Sequence, residues 1–387
     1  MNSAYSRLHV VDALRGFALV AILLLHNLEH FDYYYLPENL PVWMKTLDKG
    51  IWDTLFFLFA GKSYAIFALL FGLTFYIQSN NQQKKGKEFR VRFVWRLFLL
   101  LLFGLFNSIF FQGDILEIYA VIGVILVLVS KFSDKTVFLI AVILMLQPLE
   151  WVHFIQAIEN PGIQLNDPLS WSYFGKMVAY IPESSFIQTA LGNLTNGKTA
   201  VMLWNYENGR FFQTASLFML GMLAGRKSLF VSSLSNKSIW TKILGIAALA
   251  FIPLFVIKLR LTLAVTSEAV RRPVETIITS WANVAFMLVL ISVFYLLFHN
   301  KTFQKKLDVL SPLGRMSLSN YVFQSIIGSF LYYGFGLALY QYTGATYSLI
   351  IGIVFAILLG SFSSWWMKRH KHGPLESLWH RATWAWS

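Results

Sequence analysis

Asp12, Arg15 and His26 lie inside HVVDALRGFALVAILLLHN, residues 9–27, an apolar run long enough to enter a bilayer. Ionisable side chains are costly in such a run, so each marks a candidate functional position. At about 100° per residue, the eleven-residue step from Arg15 to His26 returns to nearly the same helix face, roughly 16 Å along the axis. Asp12 is one turn before Arg15, close enough to pair with it. The expected stripe is a neutralised ion pair near one membrane face and an imidazole aligned above it near the other. The chain has no cysteine, so thiolate nucleophiles, thiolate metal sites and disulfides are excluded. Any nucleophile or base must be His, Ser, Thr, Lys or a carboxylate.

Further polar groups interrupt other apolar runs. In FLFAGKSYAIFALLFG, a helix break at Gly61 would let Lys62 line a cavity; alternatively Lys62 snorkels or pairs with Asp53 or Asp114. In NSIFFQGDILEIYA the chain turns at Gly113, and Asp114 either caps the next helix or orients the His26 imidazole. NYENGRFFQ places Glu207, Arg210 and Gln213 at helical spacing on one face, and SPLGRMSLSNYVFQS does the same with Arg315, Asn320, Tyr321, Gln324 and Ser325. These read either as polar contacts between helices or, with Asp12, as substrate-binding candidates at Arg210, Asn320, Tyr321 and Gln324. Pro312 and Gly314 open the last of these helices with Arg315 at its start, a phosphate-binding position. HNLEH offers His26 and His30 at i and i+4, a metal-compatible spacing. No third ligand is near in sequence, so no metal is expected.

These groups need a membrane scaffold. Hydrophobic residues make up 56% of the 387, charged residues 13%, and mean hydropathy is +0.57, which defines an all-α polytopic helical membrane protein. Apolar runs predict about ten spans, at roughly 8–28, 50–78, 95–112, 114–131, 135–155, 206–225, 239–259, 274–298, 315–340 and 347–367. Lys and Arg cluster at the ends of these runs, which predicts cytoplasmic termini in a bacterial inner membrane. The net charge of +13 is thereby assigned to topology and anionic headgroups, not to nucleic acid. Lys258, Arg260, Arg271 and Arg272 fall on the outward side and disobey this rule, through a miscounted span or an anionic partner. The chain reads as one transmembrane domain with an extracytoplasmic amphipathic insertion at 156–205. The first run carries Asp12 and Arg15 and lacks a cleavage pattern, so it is expected to be a retained span.

The Arg15 and His26 spacing, an Arg, ten residues and a His, resembles the opening helix of the transmembrane acyltransferase superfamily. More closely, DALRGFALVAILLLHN, FAGKSYAIFALLFG, QGDILEIYAVIGVIL, LGRMSLSNYVFQSIIGSFLYYGFGLAL and HGPLESLWH resemble, in order, the YeiB-like membrane proteins of unknown function. That family often has Asn where this chain has His26. The resemblance implies an acyltransferase taking an acyl group from cytoplasmic acyl-CoA to an extracytoplasmic glycan or lipid. His26 would be general base or acyl carrier, Arg15 would face the CoA, Lys62 and Arg315 would contact phosphate, and Asp114 would orient His26. The alternative is a transporter or a lipid- or quinone-binding bundle. There Asp12 with Arg15 and Lys62 with Asp114 would be structural or gating pairs. Membrane lipids are expected partners in either case, and the oligomeric state is not encoded in any feature of the chain.

Overall fold

Apolar residues at helical spacing, punctuated by Gly, Pro and polar clusters, produce helices and no strands among the described residues. The computed structural model describes residues 8–37, 39–160 and 165–385; residues 161–164 of the expected insertion lie outside them. The first half contains α1 (His9–Leu28), α2 (Val42–Phe59), α3 (Ser63–Gln83), α4 (Arg90–Ser108), α5 (Leu116–Ile122), α6 (Val124–Val129), α7 (Asp134–Met145) and α8 (Pro148–Glu159). Three short helices follow, α9 (Leu169–Gly175), α10 (Phe186–Gly192) and α11 (Lys198–Glu207). The second half contains α12 (Arg210–Arg226), α13 (Leu234–Ala264), α14 (Glu268–Phe298), α15 (Lys301–Asp308), α16 (Ser311–Arg315), α17 (Ser317–Tyr332), α18 (Ala345–Arg369) and α19 (Pro374–Trp384).

Seven stretches among the described residues are long and apolar enough to cross a membrane: His9–Leu28, Val42–Gln83, Arg90–Ser108, Asp134–Glu159, Leu234–Ala264, Glu268–Phe298 and Ala345–Arg369. The other three expected spans correspond to shorter helices, at Leu116–Val129, Arg210–Arg226 and Ser317–Tyr332. The surface is apolar too. Along α13, Ile246, Leu249, Ile252, Val256 and Leu263 are all exposed, an arrangement that lipid satisfies and water does not.

α1 lies at the centre, packed against α2, α3, α16, α17 and α18. Its two ends therefore meet different helices, and the bundle is described below by its Arg15 end and its His26 end. Three breaks position the site. Gly61, with φ +76°, separates α2 from α3 in a conformation that L side chains avoid, and a Cβ there would overlap Asn283. Gly209 separates α11 from α12, and Met316 separates α16 from α17. Both of the latter breaks correct an expected helix face. Glu207 and Arg210 stand on different helices, and Arg315 ends α16 instead of opening α17.

Candidate functional site

Two cavities open along α1. The one at the Arg15 end, about 370 Å³, is lined by Asp12, Arg15, Thr74, Arg315, Glu376 and Trp379. The one at the His26 end, about 510 Å³, is lined by His26, Glu29, Asp32, Trp171, Trp204 and Arg210. They share Ile22, Tyr64, Ile115 and Tyr321, which form a waist between them. The backbone N–H of Ile115 donates to Tyr321 Oη at 3.3 Å. Tyr119 Oη donates to the Tyr64 carbonyl at 2.8 Å, while the Tyr64 hydroxyl itself is buried without a partner among the described residues.

At the Arg15 end, Arg15 lies 3.4 Å from Asp12 and also donates to Thr74. The expected phosphate position at the start of α17 is already occupied by an anion. Glu376 of α19 accepts hydrogen bonds from the N–H groups of Leu318 and Ser319 at 2.7 and 3.1 Å and from the Ser319 hydroxyl at 2.5 Å. The free N–H groups of a helix N-terminus attract a carboxylate as they would a phosphate. Burial raises the Glu376 carboxyl above its ordinary range, against the pull of these bonds. α19 is held there by Arg96, whose guanidinium stacks 4.0 Å from the Trp379 ring centre while its carbonyl accepts from Trp379 Nε1 at 3.1 Å. Arg315 reaches the Lys371 carbonyl at 3.4 Å and lines the cavity wall.

At the His26 end, His26 Nδ1 lies 3.4 Å from Glu29 Oε2, and Tyr34 Oη donates to Glu29 Oε1 at 2.9 Å. The imidazole packs on Phe111 and Phe31, with ring centres 4.7 and 5.7 Å away. α1 ends at Leu28, and His30, Phe31 and Asp32 then adopt φ of 47°, 55° and 70°. Three successive non-glycine residues in this region are costly, and the turn persists because packing fixes it. It swings Asp32 back beneath His26, so that donor atoms of His26, Glu29 and Asp32 lie within 4.8 Å of one another. Burial, and next the charge of Glu29, push the Asp32 carboxyl up to about 7.

The turn also separates the two histidines of HNLEH. His30 Nε2 faces Ser348 and Thr343 hydroxyls at 3.0 and 3.1 Å, and burial pushes its pKa down to about 4, so it tethers α18 and joins no cluster with His26.

Asp114 does not orient His26. Its Oδ2 accepts from the Glu117 N–H at 3.1 Å, capping α5, and its Oδ1 accepts from Asn107 Nδ2 at 2.9 Å. The carboxylate that reaches the imidazole is Glu29, three residues on along the same helix. Lys62 pairs with neither proposed carboxylate. Asp53 bonds Lys49 at 2.6 Å, and Lys62 Nζ sits over the Phe57 and Phe286 rings at 5.9 and 5.7 Å, outside both α1 cavities. After the break at Gly61, Lys62 is buried away from both cavities, whereas Ser63 and Tyr64 line the His26 cavity.

The remaining predicted residues disperse. Arg210 stacks on Tyr64 and Trp204 at 4.2 and 5.2 Å. Glu207 accepts from Ser170, and Gln213 donates to the Ser280 carbonyl at 3.0 Å. Asn320 donates to Ser363 Oγ at 2.9 Å, whereas both amide atoms of buried Gln324 are without partners among the described residues. Trp171 and Trp204, from the helices of the expected insertion, roof the His26 cavity. Beyond them lies a third cavity of about 810 Å³, shared through Trp171, Trp204 and Arg210. Lys258, Arg271 and Arg272 line it beside Glu150, Glu207, Glu268 and Glu275. α13 and α14 have 31 residues each, so each is about 46 Å long against a hydrocarbon core of about 30 Å, and this end can project beyond it.

Residues 224–386 match the family model described as "Protein of unknown function (DUF418)". Over nearly the whole chain, the sequence is 29% identical to "Uncharacterized protein YxaH" of Bacillus subtilis (strain 168), across 403 residues covering 97% of this chain and 94% of that protein. It is 24% identical to "Uncharacterized protein YeiB" of Escherichia coli (strain K12), across 386 residues covering 96% and 95%. The chain is similar over nearly its whole length to YeiB-like proteins of unknown function. The family-model match contains Arg315, Tyr321 and Glu376 and begins after α1, His26, Glu29 and Asp32 in the chain; the alignments with the two relatives span both ends.

Sequence reasoning missed Glu29, Asp32 and Glu376. Glu29 follows His26 at helical spacing and was legible. Asp32 was not, because it arrives through the left-handed turn, and Glu376 reaches α17 from 57 residues beyond Ser319.

Proposed function

We propose that this protein is an acyltransferase working across the bacterial inner membrane, with ten crossings and cytoplasmic termini. The Arg15 end then faces the cytoplasm and takes acyl-CoA, and the His26 end faces outward and takes a glycan or lipid acceptor. The observation that carries this reading is the pair of cavities meeting at Ile22, Tyr64, Ile115 and Tyr321, with Arg15 on one side of the waist and His26 on the other.

In this reading Glu29 accepts the Nδ1–H of His26 and fixes the tautomer, leaving the Nε2 lone pair to remove a proton from the acceptor hydroxyl or amine. The acceptor oxygen or nitrogen attacks the thioester carbonyl, the C–S bond breaks, and CoA leaves as the thiol after taking that proton. The acyl chain reaches the waist from the Arg15 side, whose walls include Phe67, Phe71 and Leu100. Arg15 and Arg315 supply positive charge for the CoA phosphates. Two cavities on either side of one shared waist favour transfer over transport, because donor and acceptor then meet at one point without either crossing.

The test is thermal stability of the detergent-purified protein with acetyl-CoA, longer acyl-CoAs and free CoA, alongside release of labelled acyl groups. A ligand that binds the folded state raises its apparent stability. Protection by CoA species that weakens in Arg15→Ala, with acyl release that needs His26, supports the reading. No shift up to millimolar CoA species overturns it and moves the search to transported or lipid ligands.

A further inference from the structure

His26, Glu29 and Asp32 present one imidazole nitrogen and two carboxylates to a common point in the wall of the His26 cavity. We propose that this point is a binding site for a divalent transition cation of the Zn²⁺ or Mn²⁺ type. One nitrogen and two oxygen donors suit these ions, and three protein ligands leave a position open towards the cavity.

The geometry is already close to that of a bound state. At a metal–ligand distance of about 2.1 Å, the edge of a tetrahedral site is about 3.4 Å, and the separation between His26 Nδ1 and Glu29 Oε2 is 3.4 Å. Asp32 has to close by at most about 1.4 Å from a separation of at most 4.8 Å, a shift within reach of a side-chain rotation. Tyr34 holds the other oxygen of Glu29, the kind of outer hydrogen bond that aims a ligating carboxylate.

Two further facts point to an occupant. The cluster carries two carboxylates, and the guanidinium lining the same cavity, Arg210, is stacked between Tyr64 and Trp204 instead of neutralising them. Ser63, 1% exposed and also lining this cavity, has a hydroxyl without a partner among the described residues. A cation and its water would supply positive charge and a hydrogen-bond partner in that space.

The site extends beyond acyl transfer and opposes it. A cation on Nδ1 leaves the ring proton on Nε2, so the occupied state cannot use His26 as a base. The same residues alternate between ligand and base, and cation occupancy would block the proposed reaction.

The experiment is equilibrium dialysis of the tag-free, detergent-purified chain against Zn²⁺ and separately Mn²⁺, with bound metal counted by mass spectrometry and affinity measured by calorimetry. One ion per chain is expected, weakened at least about ten-fold in His26→Ala and in the isosteric Asp32→Asn, and unchanged in His153→Ala, whose imidazole lies beside Glu150 in the third cavity. Matching elution profiles and helix content of the variants establish that loss of metal is not loss of fold. Absence of stoichiometric binding by the native chain, or binding that survives His26→Ala, overturns the proposal. Because the readout is bound metal, its failure leaves acyl transfer standing. Failure of CoA binding likewise leaves the cation site standing.

Discussion

The two ends of α1 balance their charges by opposite means. At the Arg15 end the local Asp12–Arg15 pair is joined by partners from distant chain: Thr74 of α3 meets Arg15, and Glu376 of α19 caps α17. At the His26 end three ionisable groups fall within seven residues, held by a left-handed turn, and two of them are acids. The first arrangement ties helices together. The second concentrates reactive or ligating groups in one wall, with less of the bundle depending on them. Removing a residue at the Arg15 end should therefore cost stability, and removing one at the His26 end should cost function.

The sharpest version of this contrast is His26→Ala. Under the proposed reaction, loss of this general base should lower acyl transfer by roughly 10²–10⁴-fold, while the melting temperature of the purified protein stays within a few degrees of native. A fall in stability comparable to the loss of activity would erase the distinction between the ends. At the opposite end, Gly314→Val should cost about 3 kcal/mol, because a Cβ at that position overlaps the Asp12 carbonyl, a backbone atom that cannot swing away. Recovery of monodisperse protein after mild heating measures it, and native-like recovery would show that α1 and α16 can part freely.

Glu376→Ala strips acceptors from two helix N–H groups and a hydroxyl, at roughly 2 kcal/mol, and should loosen α19 to protease before the rest unfolds. Glu376→Gln keeps an acceptor and isolates the titration. A carboxyl raised above its ordinary 4.5 binds its proton more tightly when folded. Its contribution is therefore full below that value and is lost as pH rises through the folded one. The melting temperature should fall less between pH 4.5 and 7 in Glu376→Gln than in the native chain, and parallel curves would remove Glu376 from the pH response.

Tyr321→Phe at the waist removes the acceptor of the Ile115 N–H and should cost about 1 kcal/mol. The smallest effect is expected at Lys62→Met. Its ammonium rests among aromatic rings away from both α1 cavities, and exchange for an apolar side chain of similar length should leave stability unchanged or slightly raised. A large loss there would reveal a counter-charge that the structure does not place.

The alignment of Arg15 with His26, the pairing of Arg15 with Asp12 and the break beside Lys62 all follow from helical periodicity and local residue type, so a single sequence contains them. The capping of α5 by Asp114 was equally local. The direction of Lys62 was not, because the conformation of Gly61 decides which side chain faces inward. The phosphate position at α17 looked open because its occupant lies on another helix. The expected face of Glu207, Arg210 and Gln213 failed at Gly209, whose left-handed φ ends one helix and starts the next.

By itself the sequence determined membrane-protein character, helical class and the residues along α1, because hydrophobicity and the 3.6-residue period act within one segment. The tertiary structure decided which charges meet: Glu376 with α17, Tyr321 with Ile115, Asp32 with His26 and the two cavities with each other. The first two pairings join helices far apart in the chain, and the third depends on a strained turn that only surrounding packing holds in place.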